Sequence, residues 1–151
     1  VNSAVRKSAV LEIPFRDIEY AEDHALASDH MNNGWYKCYA PLGVVFHSHD
    51  YPPKKYFQRK IDERIGAYKS IGELVPMSRF KMLKRTATGT IRDWIYIARD
   101  RDYSATQKLA NVYKAPIYNY LLCKCLLLTS DPSRHESLQQ HSLHHALRSK
   151  A

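Results

Sequence analysis

The stretch SATQKLANVYKAPIYNYLLCKCLLLT, residues 104–129, is the longest apolar segment of the chain and decides its fold. From Ile117 to Leu128 it holds six leucines or isoleucines, two tyrosines and two cysteines, interrupted only by Asn119 and Lys124. Placed at about 100° per residue, Leu121, Leu122, Leu126, Leu127 and Leu128 fall on every side. That is the pattern of a helix enclosed all round, not of one carrying a single apolar stripe. Ser104-x-x-Gln107 has capping-box form and starts the segment. Pro116 removes a backbone donor, which predicts either one helix kinked there or two helices with a break near Lys114.

Helical spacing continues upstream. Between Lys54 and Ile71, Phe57, Ile61, Ile65, Tyr68 and Gly72 recur at intervals of 4, 4, 3 and 4, an amphipathic helix that Gly72 and Pro76 bring to a stop. In the acid-free segment Met77–Thr90, Gly89 reads as punctuation, and a further helix is expected from about Thr90 to Asp102, burying Ile91, Trp94, Ile95 and Ala98. Downstream, Asp131-Pro132-Ser133 and a second capping box, Ser133-x-x-Glu136, predict a polar peripheral helix to about Arg148. A short acidic helix fits residues 17–30, which hold five acids and no lysine or arginine.

The remaining segments carry no helical period. Residues 1–16 read as an extended arm, with Pro14 restricting Ile13. Residues 31–53 read as an irregular aromatic loop, with Asn33-Gly34 as a turn and a strand-like run at 44–46. The fold class expected is therefore mainly α: four to five helices, an extended N-terminal arm at 1–16, and a single helical domain at 17–151. One domain suits 151 residues.

Charge is concentrated. Eleven basic residues face three acids between Tyr51 and Arg92, so this block carries the whole net charge of +8. A localised basic block asks for an anionic partner: lipid headgroups, RNA phosphate or an acidic protein surface. The candidate contacts are Lys54, Lys55, Arg59, Lys60, Arg79, Lys81, Lys84 and Arg85. Eleven tyrosines are many for this length, and such rings suit surfaces wet on one side and apolar on the other. Trp35, Tyr36, Tyr39, Phe46, Tyr51, Tyr118 and Tyr120 are the candidate partner-interface residues.

Signatures of chemistry are weak. Cys38, Cys123 and Cys125 are odd in number and sit in apolar or aromatic settings, which suggests a reducing compartment in place of a disulfide framework. With His47 and His49 they supply enough N and S ligands for a metal, but two cysteines two positions apart on a helix point to opposite sides. His141, His144 and His145 read as surface histidines. Nucleotide-binding and nucleophile-elbow patterns are missing from the sequence. No cofactor and no enzymatic activity are expected. The first eleven residues hold Arg6, Lys7, Ser3 and Ser8 without an acid, a composition expected of the tail end of a mitochondrial transit peptide or of a trimmed mature terminus.

The expected function is a non-catalytic accessory subunit of a large mitochondrial inner-membrane energy-transducing complex, a respiratory-chain complex or ATP synthase. It would lie peripheral to the membrane on the matrix side, against other protein subunits and anionic lipid such as cardiolipin. The alternative is a mitochondrial ribosomal protein whose 51–92 block meets rRNA.

Overall fold

The structure, a computed structural model, describes residues 3–18, 20–43, 45 and 50–140. These residues are mainly helical: α1 (Lys7–Glu12), α2 (Glu22–Asn32), α3 (Pro53–Ile71), α4 (Arg79–Arg99), α5 (Ala105–Leu128) and α6 (His135–Gln139), with a 3₁₀ turn at Pro132–Arg134 before α6. The chain forms two compact units, one of residues 1–50 and 65–73 and the other of residues 51–64 and 74–151, with α3 running through both. The strand-like run at 44–46 falls mostly outside the described residues, as do His47, His49 and the expected tail helix beyond residue 140.

In the first unit, part of the expected extended arm is helical. Six residues of α1 bury only Ala9, too little to show a period in sequence. A remote side chain adds to the turn: His30 Nε2 lies 3.0 Å from the Ala9 carbonyl, which also accepts from Ile13 N–H, and 3.1 Å from the carbonyl of Ile13 just past the helix end. Ile13 itself is extended, as its place before Pro14 requires. Arg16 then ties the chain down, its Nε donating to Asp29 at 2.7 Å and its Nη1 to the Ser70 carbonyl at 3.0 Å. Helix α2 ends at Gly34 in the left-handed region, φ 84°. Trp35 N–H donates to the His30 carbonyl and Gly34 N–H to that of Met31, the paired bonds that close a helix through a glycine. Gly72 ends α3 similarly, at φ 69° with its N–H on the Tyr68 carbonyl.

The second unit is built on α4 and α5, which run as a packed pair. The break expected at Gly89 does not exist. Helix α4 passes straight through it, and Gly89 is buried because α5 comes close: a Cβ there would run into the Asn119 amide, with Asn119 Cγ 3.0 Å away. The glycine permits contact between helices instead of ending one. Asn119 is itself held, its Nδ2 donating to Asp93 at 2.6 Å and to the Ala115 carbonyl at 2.9 Å.

Pro116 breaks nothing either. Helix α5 is a single helix of 24 residues with Pro116 inside it. A proline there leaves the carbonyl four residues earlier, that of Val112, without its helical donor. Trp94 of α4 supplies a substitute, its indole Nε1–H donating to the Val112 oxygen at 3.0 Å. The Ser104–Gln107 capping box is formed in both directions at the start of α5. At the far end the cap differs from expectation. Asp131 accepts from Ser133 N–H at 3.0 Å and from its hydroxyl at 2.7 Å, and these bonds hold its carboxyl below the usual range. Ser133 makes no capping box with Glu136; α6 has no side-chain cap. His135, expected at the periphery, is buried with Nε2 2.9 Å from the Thr129 carbonyl.

Two outcomes follow from this pairing. Trp94→Phe lowers stability by about 1 kcal/mol, the net worth of one hydrogen bond at a half-exposed site. In a Pro116→Ala background, where residue 116 again donates to Val112, the loss shrinks, and a double-mutant cycle in urea reads the coupling. Gly89→Ala destabilises by about 1–3 kcal/mol through overpacking, despite alanine's better helix propensity, and Asn119→Ala in the same chain returns part of that loss.

Candidate functional site

Helix α4 has three sides, which follow from its spacing. One faces α5 and carries Gly89, Thr90, Asp93 and Ile97, buried or half-buried. A second, within an arc of about 40°, carries Lys81, Arg85, Arg92 and Arg99, all exposed. The third, within about 80°, carries Phe80, Leu83, Ile91 and Trp94, and these apolar side chains are exposed, Phe80 at 75% and Leu83 at 62%. Reading Gly89 as a stop divides this helix in the sequence and conceals the stripe. Plotting residues 79–99 as one helix would have shown it.

Helix α5 repeats the theme. Leu109, Tyr113, Ile117 and Tyr120 share an arc of about 80° and are exposed, Tyr113 at 68%. Because Trp94 reaches over to Val112, next to Tyr113, the outward stripes of the two helices adjoin there. The enclosure expected for the central segment is thus only partial. Cys123, Cys125 and Leu126 are buried, while Leu121, Leu122, Leu127 and Leu128 remain half-buried.

The candidate cations divide into two sets. Lys54 and Lys55 are exposed on the first turn of α3. Arg59 and Lys60 are engaged within the chain: Arg59 donates to Glu63 at 3.2 Å and to the Tyr51 hydroxyl at 2.7 Å, and Lys60 pairs with Glu63 while lying 5.7 Å from the Tyr56 ring. Arg79, Lys81, Lys84 and Arg85 are exposed on the first two turns of α4, which Ser78 caps through Lys81 N–H. Lys81, Lys84 and Arg85 line an open groove of ≈ 310 Å³ with Val75, Pro76, Met77 and Thr88. A second groove of ≈ 240 Å³ lies between α4 and α5, with Arg85 and Arg92 at its edge.

Among the candidate interface rings, Tyr36 and Tyr39 stand 93% and 88% exposed in the loop, beside Leu42 at 98%. Trp35 is half-buried near the His30 ring. Tyr51 and Tyr118 face inward: the Tyr118 hydroxyl donates to the Tyr51 carbonyl at 2.5 Å, and its ring meets Tyr56 edge-on at 4.8 Å. Tyr120 is partly exposed with Lys124 over its ring at 5.8 Å; Lys124 lies equally near Phe57, which accounts for a lysine inside the apolar run. Phe46 lies outside the described residues.

The thiols separate by environment. Cys38 is exposed, while Cys123 and Cys125 are buried. Burial pushes the Cys125 thiol up to about 12, against a smaller opposing pull from Arg64 and Lys60. Among the described residues no three His, Cys, Asp or Glu side chains are grouped to hold a metal ion, and no helix is long and apolar enough to cross a membrane. The chain matches no protein-family model, no curated protein and no solved structure.

Thiol chemistry should report this burial. At pH 8 a disulfide reagent modifies Cys38 within minutes, and the two α5 thiols react only after denaturant is added, since the thiolate is the reacting form. The folded state also binds the Cys125 proton more tightly than the unfolded chain, whose thiol titrates near 9. Stability therefore falls as pH rises from about 9 towards 12, and urea midpoints measured across that range should decline.

Proposed function

We propose that this chain is a non-catalytic accessory subunit of a large mitochondrial inner-membrane energy-transducing complex, a respiratory-chain complex or ATP synthase, filling space between neighbouring subunits on the matrix side. The observation that carries this reading is the apolar and aromatic area the described chain leaves uncovered. Tyr36, Tyr39 and Leu42 stand in solvent on the loop, and α4 and α5 each turn a stripe of large apolar side chains outward. Surfaces of that kind mark contact with a partner. A basic, tyrosine-rich composition supports placement in an organelle assembly, and the cations of α4 suit an anionic neighbour.

A second reading, a mitochondrial ribosomal protein, draws on the Lys81, Lys84 and Arg85 groove. RNA phosphate would fill it, but the apolar stripes beside it would have no role.

Sedimentation of lysed mitochondria from the source cells tests the proposal. The chain should travel with a large protein particle after ribonuclease treatment, and Tyr36→Ser with Tyr39→Ser and Leu42→Ser should release it at least about ten-fold more readily, as loss of clustered aromatic anchors does. A monodisperse monomer that joins no particle would sink the subunit reading. Salt-sensitive binding to structured RNA, lost when Lys81, Lys84 and Arg85 become Gln, would favour the ribosome.

A further inference from the structure

We propose that the outward side of the α4–α5 pair is a lipid-binding face that lies in the headgroup layer of an anionic membrane. This rests on reading the chain as a subunit of a membrane-bound complex, and it deepens that reading by assigning one surface to lipid in place of protein.

The argument is from charge and shape together. Helix α4 carries six basic residues and one acid, and that acid, Asp93, is bonded to Asn119 on the side facing α5. Helix α5 carries three lysines and no acid. Beside the apolar stripe of Phe80, Leu83, Ile91 and Trp94, Lys84 stands at its border, and Lys81 and Arg99 lie about 80° round the helix from the stripe's edge, on the basic side. Long basic side chains at the edge of an apolar face can reach up to phosphates while the face itself sinks among acyl chains. Trp94, Tyr113 and Tyr120 add the rings that favour the membrane–water boundary.

Other occupants fit less well. RNA would use the cations and leave Leu83, Ile91 and Ile117 exposed to phosphate. A second copy of this chain would set like charge against like at Lys84, with no acid of α4 or α5 on this side to answer it, since Asp93 faces α5. An anionic bilayer satisfies both components of the surface at once, and the approach is from one side, since no described helix is built to cross. Lys54 and Lys55, on α3, take no part in it.

Purified chain and phosphatidylcholine vesicles with or without cardiolipin test this. Binding should require the anionic lipid and weaken with salt. Leu83→Asp with Ile91→Asp should lower partitioning at least about ten-fold, and Lys81→Gln with Lys84→Gln about five-fold per charge. Lys54→Gln with Lys55→Gln should change it less than two-fold, about the scatter of the assay. In a Trp35→Phe chain, whose surface on α4 and α5 is intact, brominated acyl chains should quench Trp94.

Equal binding to neutral and anionic vesicles, no binding, or unquenched Trp94 overturns the lipid face. A chain that sediments with a protein particle yet ignores vesicles overturns it too, while the subunit reading stands. A chain that binds cardiolipin vesicles through these residues but joins no particle keeps the lipid face and removes the subunit.

Discussion

A missing amide hydrogen governs the larger half of this molecule. Pro116 sits inside a helix that must be long enough to carry its leucines, and interior prolines cost a helix about 3 kcal/mol or more. The Val112 carbonyl that loses its donor is not left to water; the Trp94 indole, on the neighbouring helix, reaches it at 3.0 Å. One bond thus does two things. It mends α5 where its own backbone cannot, and it fixes the rotation of α4, because an indole can point at Val112 only if Gly89 faces Asn119 a turn and a half away. Once that rotation is set, the rest of α4 has no choice. Ile97 turns inward with Gly89, while the basic residues and Phe80, Leu83 and Ile91 point outward.

Different parts of the chain were legible in sequence to very different degrees, and the division follows the distance over which the cause acts. Helix α3 and its glycine stop are written locally in the spacing of Phe57, Ile61, Ile65, Tyr68 and Gly72, and the structure holds Ile61 and Ile65 buried. The Ser104 cap is local as well. Gly89 misleads because a glycine that ends a helix and one that admits a neighbour are identical letters; telling them apart needs Asn119, on another helix. The same holds for α1, to which His30 adds its bond, and for His135, whose burial depends on an acceptor at Thr129. Polar residues read as surface residues unless the partner that satisfies them is known.

The interface residues divide along the same line. Aromatic content alone cannot separate Tyr118, which closes on Tyr51 and Tyr56, from Tyr36 and Tyr39, which stand in solvent. Nor can charge alone separate Arg59 and Lys60, pulled onto Glu63, from Lys81 and Lys84, which are exposed. A basic block 42 residues long in sequence becomes, in the folded chain, a set partly neutralised from within on α3 and a denser outward set on α4.

What remains outward on α4 and α5 bears on why the pair is held by polar bonds at all. An ordinary helix pair would turn its apolar stripes toward each other, and hydrophobic burial would supply the contact. Here the contact side of α4 holds Gly89, Thr90 and Asp93 with Ile97 as its one large apolar residue, Asn119 faces it from α5, and the stripes turn away. The Asn119 bond to Asp93 and the Trp94 bond to Val112 take over part of the joining that burial would otherwise do. Such an arrangement carries a stability cost in water, and it makes physical sense where water is not what the stripes meet. Specific hydrogen bonds fix the register of the two helices without consuming their large side chains, and those side chains stay available to whatever surface covers them.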